Sequence, residues 1–215
     1  MTHTLHRLGN DTSLLKEDFV VLMMPSKDIN HVGSAPKLRR FFEFALKAGA
    51  IKIGDCRSGN EYYQGGRDKL LENVEDRAVI HAVFKDRESL IDLLKMLKEE
   101  ELGLSVVVSG LFDEVGECCK QSGLKPHSIN QSLGRWGATQ KLPAVGVQEI
   151  HTMCGHGMVS VNLILKMVKR VKEKKITAEK AAEQLFKPCM CGIFNPHRAA
   201  KLLSRLADEP AGEGA

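Results

Sequence analysis

Three apolar runs set the terms on which this chain can fold. They are Asp18-Phe-Val-Val-Leu-Met-Met24, Ala78-Val-Ile-His-Ala-Val-Phe84 and Leu104-Ser-Val-Val-Val-Ser109. Each is short and rich in β-branched or aromatic side chains, which suits a strand better than a helix. Segments with apolar residues at helical spacing lie between them. Leu38, Phe41, Phe42, Ala45 and Leu46 form one stripe, with Ser34 as its expected N-cap and Gly49 as its stop. Leu90, Leu93, Leu94 and Leu97 form another, on a helix predicted from Asp86 to about Glu101. Ala50–Gly54 predicts a further strand, Gly66–Val74 a short helix, and Asp113–Gln121 a third full helix. Two weaker strands are predicted over His127–Leu133 and Val147–Met153.

Strands alternating with helices predict an α/β domain over residues 15–145, with a mostly parallel sheet and flanking helices. A ferredoxin-like α+β sandwich is the alternative. The run Leu104–Ser109 is expected to be buried on both faces, as an interior strand of a parallel sheet would be. Residues 146–208 predict a helical, cysteine-bearing segment packed on that domain. Its stripes are Val161, Ile164, Leu165, Val168 and Val171, then Ala178, Ala181, Ala182 and Leu185 behind the N-cap Thr177. A last helix starts at Asn195-Pro196. Residues 209–215 are expected to be a disordered tail.

The chain has 215 residues, 43% hydrophobic and 27% charged, enough for a substantial core and too apolar for wholesale disorder. No apolar run reaches the ~20 residues of a membrane span. The N-terminus lacks the apolar centre of a secretory signal, so a cytoplasmic location and no membrane partner are expected. The net charge of +4 is spread along the chain. Its densest cluster, Lys166, Lys169, Arg170, Lys172, Lys174 and Lys175, reads as a solvated helix face. Trp136 is the one tryptophan, with no interleaving of aromatic and basic residues, which disfavours a nucleic-acid partner. A small-molecule substrate is expected, and a homo-oligomer is left open.

The chemistry is expected from the cysteines. There are six, and a chain of this size and composition points to reduced thiols or metal ligation rather than a disulfide framework. Cys154-Gly-His-Gly157 is expected to open a helix, whose N–H groups would stabilise a thiolate. Pro188-Cys-Met-Cys-Gly192 lies 34 residues further on, far enough for two helices to bring the chain back. Cys154, Cys189 and Cys191 thus predict a cofactor site, first a [4Fe-4S] cluster with one open iron. Zinc with His156 as the fourth ligand is the alternative. Buried cysteines at helix packing points are a third reading.

An open-site cluster would suit a lyase such as a dehydratase, or a sulfur-transfer enzyme acting on a small anionic molecule. A zinc- or cluster-stabilised accessory protein or electron carrier is the non-enzymatic alternative. His156 and Arg198 are the candidate catalytic residues, as acid–base group and anion binder. His31, Arg57, Asn60 and Arg135 are the candidate substrate residues. With Lys27, Asn30, Asp55, Cys56, Ser109 and Trp136, they lie where a parallel sheet would gather its carboxyl-end loops. One of Cys118 and Cys119 is expected in the core, and His3 with His6 make a weak metal pair. No dinucleotide or phosphate-loop glycine pattern, nucleophile elbow, zincin motif or Cys-x-x-Cys is found.

Overall fold

A computed structural model of the chain describes residues 7–209. His3, His6 and residues 210–215 of the expected tail lie outside them. The chain divides into two compact units. Of the described residues, a sheet unit comprises 12–129 with 190–193, and a helical unit comprises 7–11, 130–189 and 194–209.

The sheet unit runs α1 (Thr12–Leu15), β1 (Phe19–Met24), α2 (Ala35–Lys47), β2 (Lys52–Asp55), β3 (Gly59–Asn60), α3 (Arg67–Glu72), β4 (Ile80–Phe84), α4 (Arg87–Glu100), β5 (Ser105–Ser109) and α5 (Phe112–Gln121). Its five strands lie in the order β3-β2-β4-β1-β5. Every neighbouring pair is antiparallel. The fold is therefore α+β, which overturns the mostly parallel sheet. The units β1-α2-β2 and β4-α4-β5 are both present, but each skips one place in the sheet. β4 fills the slot between β1 and β2, and β1 fills the slot between β4 and β5, each running against its neighbours. The link from β2 to β4 makes this possible. Its α3 has six residues, about 9 Å of helix, too short to recross the sheet, so the chain turns back antiparallel.

The register puts Phe19, Val21 and Met23 opposite Phe84, Ala82 and Ile80, with Ile53 beside Ala82. This face packs on Leu38, Phe41, Phe42 and Ala45 of α2 and Leu90, Leu93 and Leu94 of α4, forming one core. Val20, Leu22, His81 and Val83 point the other way and are also fully buried. The strand β5 pairs only with β1, so Ser105 is exposed and Val106–Val108 are half-buried. Its apolar run marks an edge strand, not one buried on both faces. Cys118 and Cys119 of α5 both join the core.

The start of α4 follows local chemistry and the start of α2 does not. Asp86 caps α4 by accepting from Ser89 N, and Glu101 ends it in the left-handed conformation at φ 50°. Ser34 precedes α2 but does not cap it through its side chain. Its hydroxyl donates to the His31 carbonyl, and a remote carboxylate takes over. Asp76 accepts from Ala35 N at 2.8 Å and from Gly33 N at 2.7 Å.

The helical unit contains α6 (Val145–His151), α7 (Val161–Lys172), α8 (Ala178–Phe186) and α9 (Pro196–Asp208). α9 packs on the other three. A Cβ on Gly146 would lie 2.7 Å from Leu206 Cδ2, so α6 and α9 approach closely there. Neither weak strand forms. Val147, Ile150 and Met153 are buried at a spacing of three, which seats the stretch as helix rather than strand. Residues 125–131 are all exposed and offer no face to bury, and Pro126 removes a ladder donor. Ser160, Thr177 and Asn195 cap α7, α8 and α9. Among the described residues no helix is long and apolar enough to cross a membrane.

The two backbone hydrogen bonds at the α2 start hold the Asp76 carboxyl below its usual range. Its folded pKa is depressed, so its contribution is present above the unfolded pKa and fades as pH falls through the folded one. Asp76→Ala should lower the melting temperature at pH 7 by about 2–4 °C. It should also flatten the stability loss below about pH 4. Equal acid sensitivity of variant and parent in thermal melts would refute the capping role.

Candidate functional site

The first element of the site is a glycine-to-glycine contact on the second face of the sheet. Gly54 lies opposite His81 in the β2–β4 register. A Cβ on Gly54 would sit 2.5 Å from the Cys191 carbonyl oxygen and 2.9 Å from Gly192 Cα. Gly192, at φ 76°, approaches from the other side, where a Cβ would meet the Ile53 carbonyl oxygen at 2.8 Å. Only two residues without side chains let the segment Met190–Ile193 lie against β2.

That contact delivers Cys191 to a second thiol. Cys56 follows β2, and its amide donates to the Val79 carbonyl at 2.9 Å. Its thiol hydrogen-bonds with that of Cys191. The His81 ring nitrogens lie 3.7 and 3.8 Å from Cys56 Sγ. His81 and Cys191 are 0% and 1% exposed, while Cys56 is partly exposed. The hydrogen bond to Cys191 holds the proton on Cys56 most strongly; burial and the negative charge of Asp55 push its pKa further up. Burial, with smaller contributions from Cys119, Glu114 and Glu88, pushes Cys118 up to about 11 against the opposing charge of Arg87. At neutral pH Cys56 is therefore a protonated thiol and a poor nucleophile.

The other predicted cofactor residues belong to the helical unit. Cys154 and Cys189 are buried, and Cys189 N donates to the Phe186 carbonyl at 2.9 Å. Cys154 does not open a helix. It follows the carboxyl end of α6, and α7 begins only at Val161 behind its own cap, Ser160. The helix end beside it carries carbonyls, so the expected thiolate stabilisation by helix N–H groups does not arise there. His156 is exposed in the turn closed by Gly157 N donating to the Cys154 carbonyl. Arg198 is 0% exposed. Its guanidinium donates to the Leu8 carbonyl and lies 3.8 Å from the Glu149 carboxylate, which places it in a buried ion pair.

The antiparallel sheet also redistributes the predicted substrate loops. β1 and β2 end on the same side, so His31, Arg57 and Asn60 share one end of the sheet unit. Ser109 pairs with Val20 at the start of β1 and lies at the opposite end. His31 Nδ1 accepts from Asp28 N, and Asn60, buried, accepts from the amides of Tyr62 and Tyr63. Arg57 donates to the Asp76 carbonyl and sits 3.7 Å from Glu75. Asp55, Arg57, Ser58, Glu72, Asn73 and Glu75 help line a cleft of about 460 Å³. Three carboxylates against one paired guanidinium make this wall acidic, which suits a neutral or cationic molecule over an anion. Arg135 belongs to the helical unit, where it donates to Gln148 Oε1, and Trp136 is exposed.

Among the described residues no three His, Cys, Asp or Glu side chains are gathered as a ready metal site. The donors of the sheet unit come as a thiol pair with one adjoining imidazole. The chain matches no family model, no curated protein and no solved structure. Sequence reasoning treated Cys56 as one loop residue among several and His81 as part of a strand. No motif links Cys56 to Cys191, 135 positions later.

Two outcomes follow from this geometry. Gly54→Ala forces a methyl into the Cys191 backbone and should cost about 1–3 kcal/mol in denaturant unfolding. An unchanged midpoint would show that the segment does not lie there. In the metal-free native protein, Cys56 should alkylate far more slowly at pH 7 than an ordinary thiol. Its rate should still be climbing at pH 9, as mapped by mass spectrometry; a plateau near pH 8.5 would contradict the raised pKa.

Proposed function

We propose that this chain is a cysteine-ligated metal protein, with a [4Fe-4S] cluster as the first candidate and zinc as the second. The observation that carries the reading is the buried Cys191 thiol in hydrogen-bond contact with the Cys56 thiol beside His81. The Cys56 thiol, protonated and partly desolvated, does little nucleophilic chemistry. A thiophilic cation changes that balance, because it displaces both protons and neutralises the sulfur charges that the pair cannot hold alone.

Sulfur ligands and a setting poor in water favour iron–sulfur or zinc over magnesium or calcium, which select oxygen. Cys189, two residues before Cys191, and Cys154, in its glycine-flanked turn, are the thiols available to extend the set. A cluster with three thiolate ligands supplies a Lewis-acidic iron when bound. A lyase or sulfur-transfer activity on a small molecule is the enzymatic form of this proposal. A metal-stabilised accessory protein or electron carrier is its non-enzymatic form.

The test is anaerobic production with iron and sulfide supplied, followed by metal and sulfide analysis, absorption and electron paramagnetic resonance. Stoichiometric metal that is lost in Cys191→Ala is the expected result. A protein holding neither iron nor zinc in stoichiometric amount defeats the proposal. Parallel Cys154→Ala and Cys189→Ala variants report whether those thiols are ligands. A resonance signal altered by small hydroxy acids, carboxylic acids or sulfide points to the enzymatic form.

A further inference from the structure

We infer that the outer face of α7 docks on duplex DNA, with its lysines set against the phosphodiester backbone and no reading of sequence. The inference stands apart from the proposed metal function and uses none of the cysteines.

The charge of the chain is divided unevenly between its units. Among the described residues the helical unit has fourteen Lys and Arg against seven Asp and Glu. The sheet unit has seventeen against nineteen. The excess concentrates on α7 and the turn after it, where Lys166, Lys169, Arg170, Lys172, Lys174 and Lys175 are joined by one carboxylate, Glu173. Glu173 lies 2.8 Å from Lys175 and 4.0 Å from Lys169. Lys166, Arg170 and Lys174 enter no ion pair among the described residues.

The helix dipole favours cations in the last turn, and Lys169, Arg170 and Lys172 satisfy it there. It does not call for Lys166, further back, or for Lys174 and Lys175 beyond the helix end. That end is fixed rather than frayed. Lys174 N donates to the Val171 carbonyl at 2.8 Å and Lys175 N to the Arg170 carbonyl at 2.9 Å, with Lys174 left-handed at φ 55°. Glycine takes that conformation without strain, so lysine keeps a cation in the row at some cost in stability. Helical spacing puts Asn162, Leu165, Lys166, Lys169 and Lys172 on the exposed side, opposite the buried Ile164 and Met167. Lys166 and Lys172 stand on its two edges. Lys172 donates to the Glu209 carbonyl, a neutral acceptor that leaves its charge in place.

Six cations over roughly 14 Å approach the charge density of duplex DNA, one phosphate per about 1.7 Å. The apolar side of α7 is committed to the core, so no apolar face remains to enter a bilayer. A protein interface needs an apolar centre, and Leu165 is the one exposed large apolar side chain of α7. The B-form major groove, about 12 Å wide, admits a helix face with cations on both edges, and the A-form groove of RNA does not. The missing alternation of aromatic and basic residues bears on single strands, whose bases must stack, and not on a duplex.

The experiment is fluorescence anisotropy of the full chain with a labelled DNA duplex of random sequence, as salt rises from about 50 to about 200 mM. The expected log–log salt slope is about −4, for about four phosphate contacts. Lys166→Gln, Lys169→Gln and Lys174→Gln, combined, should weaken binding at least ten-fold and make the slope shallower by about 3. The same charge change at exposed lysines of the sheet unit, Lys85→Gln, Lys95→Gln and Lys120→Gln, should leave both nearly unchanged. Equal losses from the two triple variants, or no duplex binding at the lowest salt, overturn the inference. Tighter binding to an RNA duplex, to polyglutamate or to phosphatidylserine vesicles overturns it in favour of that partner. Should the α7 variant fail to fold, the parent decides. DNA must then protect Lys166, Lys169 and Lys174 from amine-reactive labelling, and labelling that DNA does not change defeats the assignment. No cysteine is altered, so the metal analysis stands or falls separately.

Discussion

The candidate site depends on two missing side chains. Gly54 and Gly192 let the segment Met190–Ile193 lie on the second face of β2 with backbone atoms where a Cβ would otherwise be. A strand that already packs one face against α2 and α4 thereby gains a backbone partner on the other. The approach brings Cys191 beside Cys56, which no local interaction could do across 135 residues. The close contact is worth little in itself. Its consequence is positional, because each atom of the approaching turn is held by a backbone that cannot rotate away.

Topology decides what else can share that neighbourhood. Because β4 separates β1 from β2, His81 stands directly opposite Gly54, and its ring projects over the same face. In a parallel sheet β1 and β2 would be neighbours and no imidazole would come with them. The same arrangement sends the loops after β1 and β2 to one end and Ser109 to the other. Asp76 ties the shared end together by capping α2 through backbone hydrogen bonds while its own carbonyl accepts from Arg57.

A thiol pair in this environment is chemically quiet until something takes its protons. Burial raises the cost of each thiolate, and a second thiol nearby raises it again. The same features that disfavour nucleophilic use would suit the proposed ligand role, in which a metal would supply the compensating charge. Arg198 illustrates the opposite case. Its charge is compensated within the fold, by Glu149 and the Leu8 carbonyl, and is committed to holding the N-terminal arm.

Much of the local structure was legible in the residues. The runs at Phe19, Ile80 and Ser105, the stripes of α2 and α4, and the caps at Thr177 and Asn195 follow from short-range sterics and hydrogen bonding. Period and capping are properties of neighbours in sequence, so a sequence can carry them. The direction of each strand beside its partner is not such a property. Strand–helix–strand alternation is common to parallel sheets and to sheets that interleave an antiparallel strand, and the six-residue α3 decided between them. Val147–Met153 was ambiguous for a related reason: its apolar residues suit a short strand or two helical turns, and packing Gly146 against Leu206 selected the helix. Asp76 as the cap of α2, and the meeting of Cys56, His81 and Cys191, were decided by tertiary structure alone. Each joins residues distant in the chain through contacts that exist only once the sheet has formed.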